Sequence, residues 1–137
     1  MTLNPNAKKY LVTGSFLLAL AVIIGAFGAH GLKSMVGIGP DLLNTFETGV
    51  RYHFYHAFAI LILGVIQLSL PKIKLQLSFF SFLVGTLLFS FNLYFYVMSG
   101  VKIFAIVVPL GGVVFILGWL NLGWQSLKLG DTEAAVL

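Results

Sequence analysis

The 137-residue chain is predicted to be all-α: one integral membrane domain over 1–137, a four-helix transmembrane bundle with an amphipathic interfacial lead-in to the second helix. Three observations predict this. Hydrophobic residues make up 59% of the chain and charged residues 9%, with a mean hydropathy of +1.02, far from the balance of a soluble domain. Four apolar windows of about 20 residues, the length that crosses the hydrocarbon core, fit along the chain without overlap. The segments between them are short, which leaves no room for a soluble catalytic domain.

The first span is expected over 10–29, YLVTGSFLLALAVIIGAFGA. Its charged start at Lys8 and Lys9 and its small residues Ala26 and Gly28 imitate a secretory signal, but an apolar run of about 20 residues is long enough to span. Ala21, Gly25 and Ala29 recur at a spacing of four, a small-residue stripe that admits another helix backbone. A loop holding Gly37, Gly39 and Pro40 ends this helix, and Asp41 is placed to cap the next.

As a helix the segment 41–70 would be about 45 Å long at about 1.5 Å per residue, more than an upright span requires. Its polar first third is therefore expected in the interface, with 52–70 crossing the membrane. Pro71, Lys72 and Lys74 end it, a third span follows over 75–98, and a fourth over 103–124. Tyr94, Tyr96, Trp119 and Trp124 fall where interfacial aromatic belts are expected. Four spans put Lys8, Lys9, Lys72, Lys74 and Lys128 on one side and Lys33, Arg51 and Lys102 on the other. That asymmetry places both termini in the cytoplasm, for a multi-pass protein of a bacterial inner membrane.

The net charge of +4 is carried by lysines and arginines scattered singly at the ends of apolar runs, so it reads as headgroup anchoring, and no nucleic-acid partner is expected. The absence of cysteine excludes disulfides, thiolate metal sites and a cysteine nucleophile.

Ionisable groups collect on the second segment as Glu47, Arg51, His53 and His56. Such groups are costly inside a membrane and mark candidate functional sites. At about 100° per residue, Glu47 and Arg51 stack on one side of the helix while Tyr52, His53 and His56 fall on another sector. All four ionisable groups converge only if the helix breaks near Gly49. Glu47 and Arg51 read either as a local ion pair worth a few tenths of a kcal/mol or, with Lys102, as an electropositive outer mouth for an anionic headgroup.

His53 and His56, three apart, offer two metal ligands, but a third is wanting, so no metal is expected. No cofactor is expected either: haem held between His30 and a second-helix histidine finds no attachment motif. On the third span Ser78, Gly85, Asn92 and Ser99 recur at a spacing of seven, a seam turned to the bundle in which Asn92 is the expected hydrogen-bond partner of the histidines. In the fourth, Pro109 with Gly111 and Gly112 predicts a kink that frees the carbonyl of Ala105.

Four motifs in order, GAFGAHGLK at 25–33, FETGVRYHFYHAFAIL at 46–61, GTLLFSFNLY at 85–94 and PLGGVVFILGWL at 109–120, resemble one family over nearly the whole chain. They are similar to the small bacterial membrane proteins called domain of unknown function 423, themselves similar to eukaryotic transmembrane protein 256. The resemblance implies a four-helix inner-membrane protein with no assigned reaction. It carries over His30, Glu47, Tyr52, His56, Tyr94 and Pro109, while His53 departs from the family pattern, which favours His30 with His56 as a pair.

The reading that results is a binding or accessory membrane protein with a polar pocket in its outward half, drawn from His30, Glu47, Arg51, Tyr52, His53, His56, Asn92, Tyr94 and Lys102. A lipid headgroup, a small ligand or a partner protein would occupy it. Expected partners are membrane lipids and a second copy of the chain or another membrane protein. The alternative is a small oligomeric transporter or channel subunit gated by protonation of His and Glu. A haem- or quinone-linked enzyme ranks third, since no nucleophile–base set is legible.

Overall fold

Helices account for nearly all of the chain in the computed structural model, which describes residues 4–35 and 37–134. Helix α1, Pro5–Ala26, starts where the Asn4 side chain accepts the Asn6 N–H at 2.9 Å and Pro5 presets the first turn. It continues into a π-helical turn, Phe27–Gly31, and a 3-10 turn, Leu32–Ser34. Helix α2 is Pro40–Ser69. The third span joins α3, Gln76–Thr86, through a π-helical turn, Leu87–Phe91, to α4, Asn92–Ser99. It stops at Gly100, whose φ of 71° lies in the left-handed region that a Cβ disfavours. Helix α5 is Lys102–Ala134.

Four helical stretches, Pro5–Ser34, Pro40–Ser69, Gln76–Ser99 and Lys102–Leu129, are long and apolar enough to cross a membrane. Three of them run several residues past the predicted spans, because polar flanks continue a helix once its apolar middle has formed. The difference is largest in α2, where lead-in and span are one unbroken helix. Pro40 occupies its first turn with Gly39 before it, so Asp41 lies inside the helix and does not cap it.

The strong contacts run in a row, α1 on α2, α2 on the third span, and the third span on α5. In the most apolar window of the two middle spans 44% and 50% of residues are buried, against 17% in each outer one. The middle helices therefore form the core, and α1 and α5 turn most of their apolar surface to lipid.

Between α1 and α2 the buried small residues are Ala7, Gly14, Ala21 and Gly28, a spacing of seven, which keeps a seam facing one partner. A Cβ on Gly14 would stand 2.8 Å from the Leu61 backbone nitrogen. Of the stripe expected at spacing four, Ala21 is buried and Gly25 faces Val50, while Ala29 is exposed. The seam follows seven because the two helices lie side by side along their length.

The third span meets α5 as closely: a Cβ on Gly111 would stand 2.6 Å from the Phe89 nitrogen, and Gly85 lies under the Phe115 ring. Ser78 Oγ donates to the Gly118 carbonyl at 2.9 Å and accepts from Asn121 Nδ2 at 2.8 Å, a polar tie inside the apolar layer. Helix α5 stays helical through Pro109, whose ring lies on an exposed face.

Candidate functional site

The midpoints of three spans come together. They fall at Phe54–Tyr55 in Pro40–Ser69, at Leu87–Leu88 in Gln76–Ser99 and at Phe115–Ile116 in Lys102–Leu129. Here α2 and α5 meet chiefly through side chains, and Phe89 of the π-helical turn closes the space beneath them. A π turn inserts one residue into the helix and is often found at functional sites. Asn92 Nδ2 donates to the Leu87 carbonyl at 3.0 Å, satisfying a backbone group of that turn. The half-buried Asn92 is thus not the partner of either histidine, contrary to the expectation from its place in the seam.

His56 is buried, and its ring lies on Phe115 with centroids 3.4 Å apart and planes 6° from parallel. Its Nδ1 is 2.8 Å from the Tyr52 carbonyl, and its Nε2 accepts from Trp119 Nε1 at 3.2 Å. A carbonyl can only accept and an indole N–H can only donate, so the two partners together fix the tautomer with the proton on Nδ1. Trp119, expected in an interfacial belt, instead reaches inward. Its position was invisible in the sequence because tryptophan serves both at membrane surfaces and in hydrogen bonds between packed helices.

His53 is buried too but faces a different neighbour, with Nδ1 3.2 Å from the Tyr94 hydroxyl. Its Nε2 is buried and has no hydrogen-bond partner among the described residues. Gly49, one turn earlier, makes room for Tyr94: a Cβ there would stand 2.8 Å from its ring. That contact and the unbroken α2 keep the four ionisable groups from converging. His53 joins α4, His56 joins α5, and the two histidines do not share a site.

The charged groups of the expected outward pocket lie apart from this core. His30 is exposed on the π turn ending α1, and Lys102 is exposed at the start of α5. Glu47 and Arg51 are exposed on α2 and line a cleft of about 190 Å³ together with Gly25 of α1 and Gly28 of the π-helical turn that follows it. They do not form an ion pair; Arg51 donates to Thr48 Oγ1 at 3.0 Å. Among the described residues no three His, Asp or Glu side chains assemble as a metal-ligand set.

A second and larger cleft, about 530 Å³, opens sideways between α2 and α5, lined by Tyr52, Tyr55, His56, Phe89, Phe115 and Trp119 among others. Buried polar anchors that sequence reasoning missed include Gln67, whose Nε2 binds the carbonyls of Leu70, Pro71 and Ile73 at 3.3, 2.9 and 3.3 Å and fixes the turn after α2.

Four membrane-length helices around a layer of hydrogen-bonded aromatic and imidazole rings define a small helical integral membrane protein. Within that class, the chain belongs to the family described as protein of unknown function DUF423, whose model matches residues 24–112. It is similar to UPF0382 membrane proteins. One from Staphylococcus aureus is 36% identical over 121 residues, covering 88% of this chain and 97% of the relative. YwdK of Bacillus subtilis is 36% identical over 123 residues, covering 88% and 98%. A relative from Haemophilus influenzae is 33% identical over 121 residues, covering 88% and 95%. No solved structure matches the chain.

Proposed function

We propose that this protein binds membrane lipids, and that the cleft between the end of α1 and the start of α2 takes a phospholipid headgroup carrying both a phosphate and an amine. The observation that supports it most is the pair of opposite charges, Glu47 and Arg51, standing one turn apart and exposed without pairing to each other. Charges at (i, i+4) on a helix would ordinarily meet. Left open, they complement a zwitterion, with Arg51 for the phosphate and Glu47 for the ammonium.

The Arg51 guanidinium turns along α2 toward Thr48, in the direction of the helix start at Pro40. Glycines at 25 and 28 bring the α1 backbone close enough to floor a cleft the size of a small polar group. In this reading the protein is a binding component of a bacterial cell membrane, its termini cytoplasmic on the strength of its lysine distribution, and bilayer lipids are its partners.

The test is lipid retention. The protein is extracted with its lipids, and bound species are counted by native mass spectrometry after exchange into vesicles of phosphatidylethanolamine or phosphatidylglycerol. Arg51→Gln is expected to lose both, and Glu47→Gln to lose the preference for the amine-bearing lipid while still retaining phospholipid. Equal retention by the parent and both variants would remove the proposal.

A further inference from the structure

The cleft between α2 and α5 is a separate site with different chemistry. Its lining is almost wholly aromatic and apolar, and the two nitrogens of His56 are already taken by Tyr52 and Trp119. Two of its lining residues, Tyr52 and Tyr55, are exposed and carry hydroxyls without a hydrogen-bond partner among the described residues. Hydrocarbon offers a phenol no acceptor, and an unmet donor within it is costly. The occupant must therefore bring an acceptor with it.

A molecule whose acceptors travel within the hydrocarbon meets that need. The walls also select for shape. Tyr52 stacks on Phe89 with centroids 4.5 Å apart and planes 28° from parallel, and His56 lies flat on Phe115. Such surfaces favour a planar ring, and the side opening leaves a passage to lipid for an apolar tail.

We infer that the α2–α5 cleft binds the ring of a lipid-soluble quinone, its carbonyl oxygens accepting from Tyr52 and Tyr55 and its isoprenoid tail lying along α5. This site does not depend on the headgroup cleft at Glu47 and Arg51. The inference concerns binding and assigns no electron transfer.

The chain has two tryptophans, Trp119 in the cleft and Trp124 beyond it. The full-length Trp124→Phe protein in lipid nanodiscs leaves Trp119 as the sole reporter, and decylubiquinone is the probe. Saturable quenching above the linear partitioning background is expected. Gly112 lines the cleft and has open space where its Cβ would go, so Gly112→Leu fills the site without disturbing a packed neighbour. That variant, and separately Tyr52→Phe with Tyr55→Phe, should weaken saturation at least ten-fold with unchanged helical circular dichroism.

Quenching that never saturates, or variants that titrate like the parent, would overturn the inference. So would quenching of Trp119 by lipids with brominated acyl chains that added quinone does not relieve, which would make a lipid tail the occupant.

Discussion

Trp119 Nε1 donates to His56 Nε2 at 3.2 Å, tying α5 to α2 across the cleft. Hydrogen bonds between membrane helices average about 0.6 kcal/mol in coupling, while leaving a buried acceptor unpaired costs about 1–3 kcal/mol. Trp119→Phe is thus expected to destabilise the fold by about 1–3 kcal/mol, with a coupling to His56→Phe of about 1 kcal/mol in a double-mutant cycle. Reversible unfolding in mixed micelles measures it, and additive single effects would show that the contact contributes nothing of its own.

His53 and Tyr94 allow a sharper contrast. Tyr94→Phe removes one oxygen and leaves Nδ1 of the buried His53 ring without its partner, which should cost about 1–3 kcal/mol. Replacing both partners, Tyr94→Phe with His53→Phe, should restore part of that loss, because no polar group is then left unmet. A double variant less stable than Tyr94→Phe alone would contradict the account.

Glycines sort by what a methyl group would meet. Gly14→Ala and Gly111→Ala push a Cβ to within 2.8 and 2.6 Å of a neighbouring backbone nitrogen, and overpacking of this kind costs about 1–3 kcal/mol. Gly123→Ala meets nothing within 4 Å and should be neutral or stabilising by up to about 1 kcal/mol. Thermal unfolding of the three variants decides between packing and mere helix propensity as the reason for these residues.

Orientation has a direct assay, because the native chain contains no cysteine. Single cysteines at Lys72 and Lys102 should react with a membrane-impermeant maleimide from opposite faces of sealed vesicles, Lys72→Cys from the cytoplasmic side. Labelling of both from one side would refute the four-span arrangement, and labelling from the reverse sides would invert the topology.

The helices were legible in the sequence because length and hydropathy are properties of single segments: each predicted apolar run lies wholly or almost wholly inside one of the four observed helical stretches. Glu47 and Arg51 were legible as a patch, since their spacing alone puts them on one face. The partners of the histidines were not. His53 and His56 differ by three positions, yet the crossing of α4 and α5 over α2 decides that one finds a phenol and the other an indole. Asn92 was drawn to the wrong partner because a π turn, which no residue pattern announced, presented it with the carbonyl of Leu87. Long-range geometry of this kind is absent from any single helix.

The row in which the helices are arranged bears on biogenesis. Each helix makes its strongest contacts with the one before or after it in the chain. The emerging polypeptide can consequently settle hairpin by hairpin as it leaves the ribosome, with no early segment waiting on a late one. Point defects near the C-terminus should then leave the first hairpin inserted and protease-resistant, whereas a lesion at the Gly14–Leu61 crossing would compromise assembly from the outset.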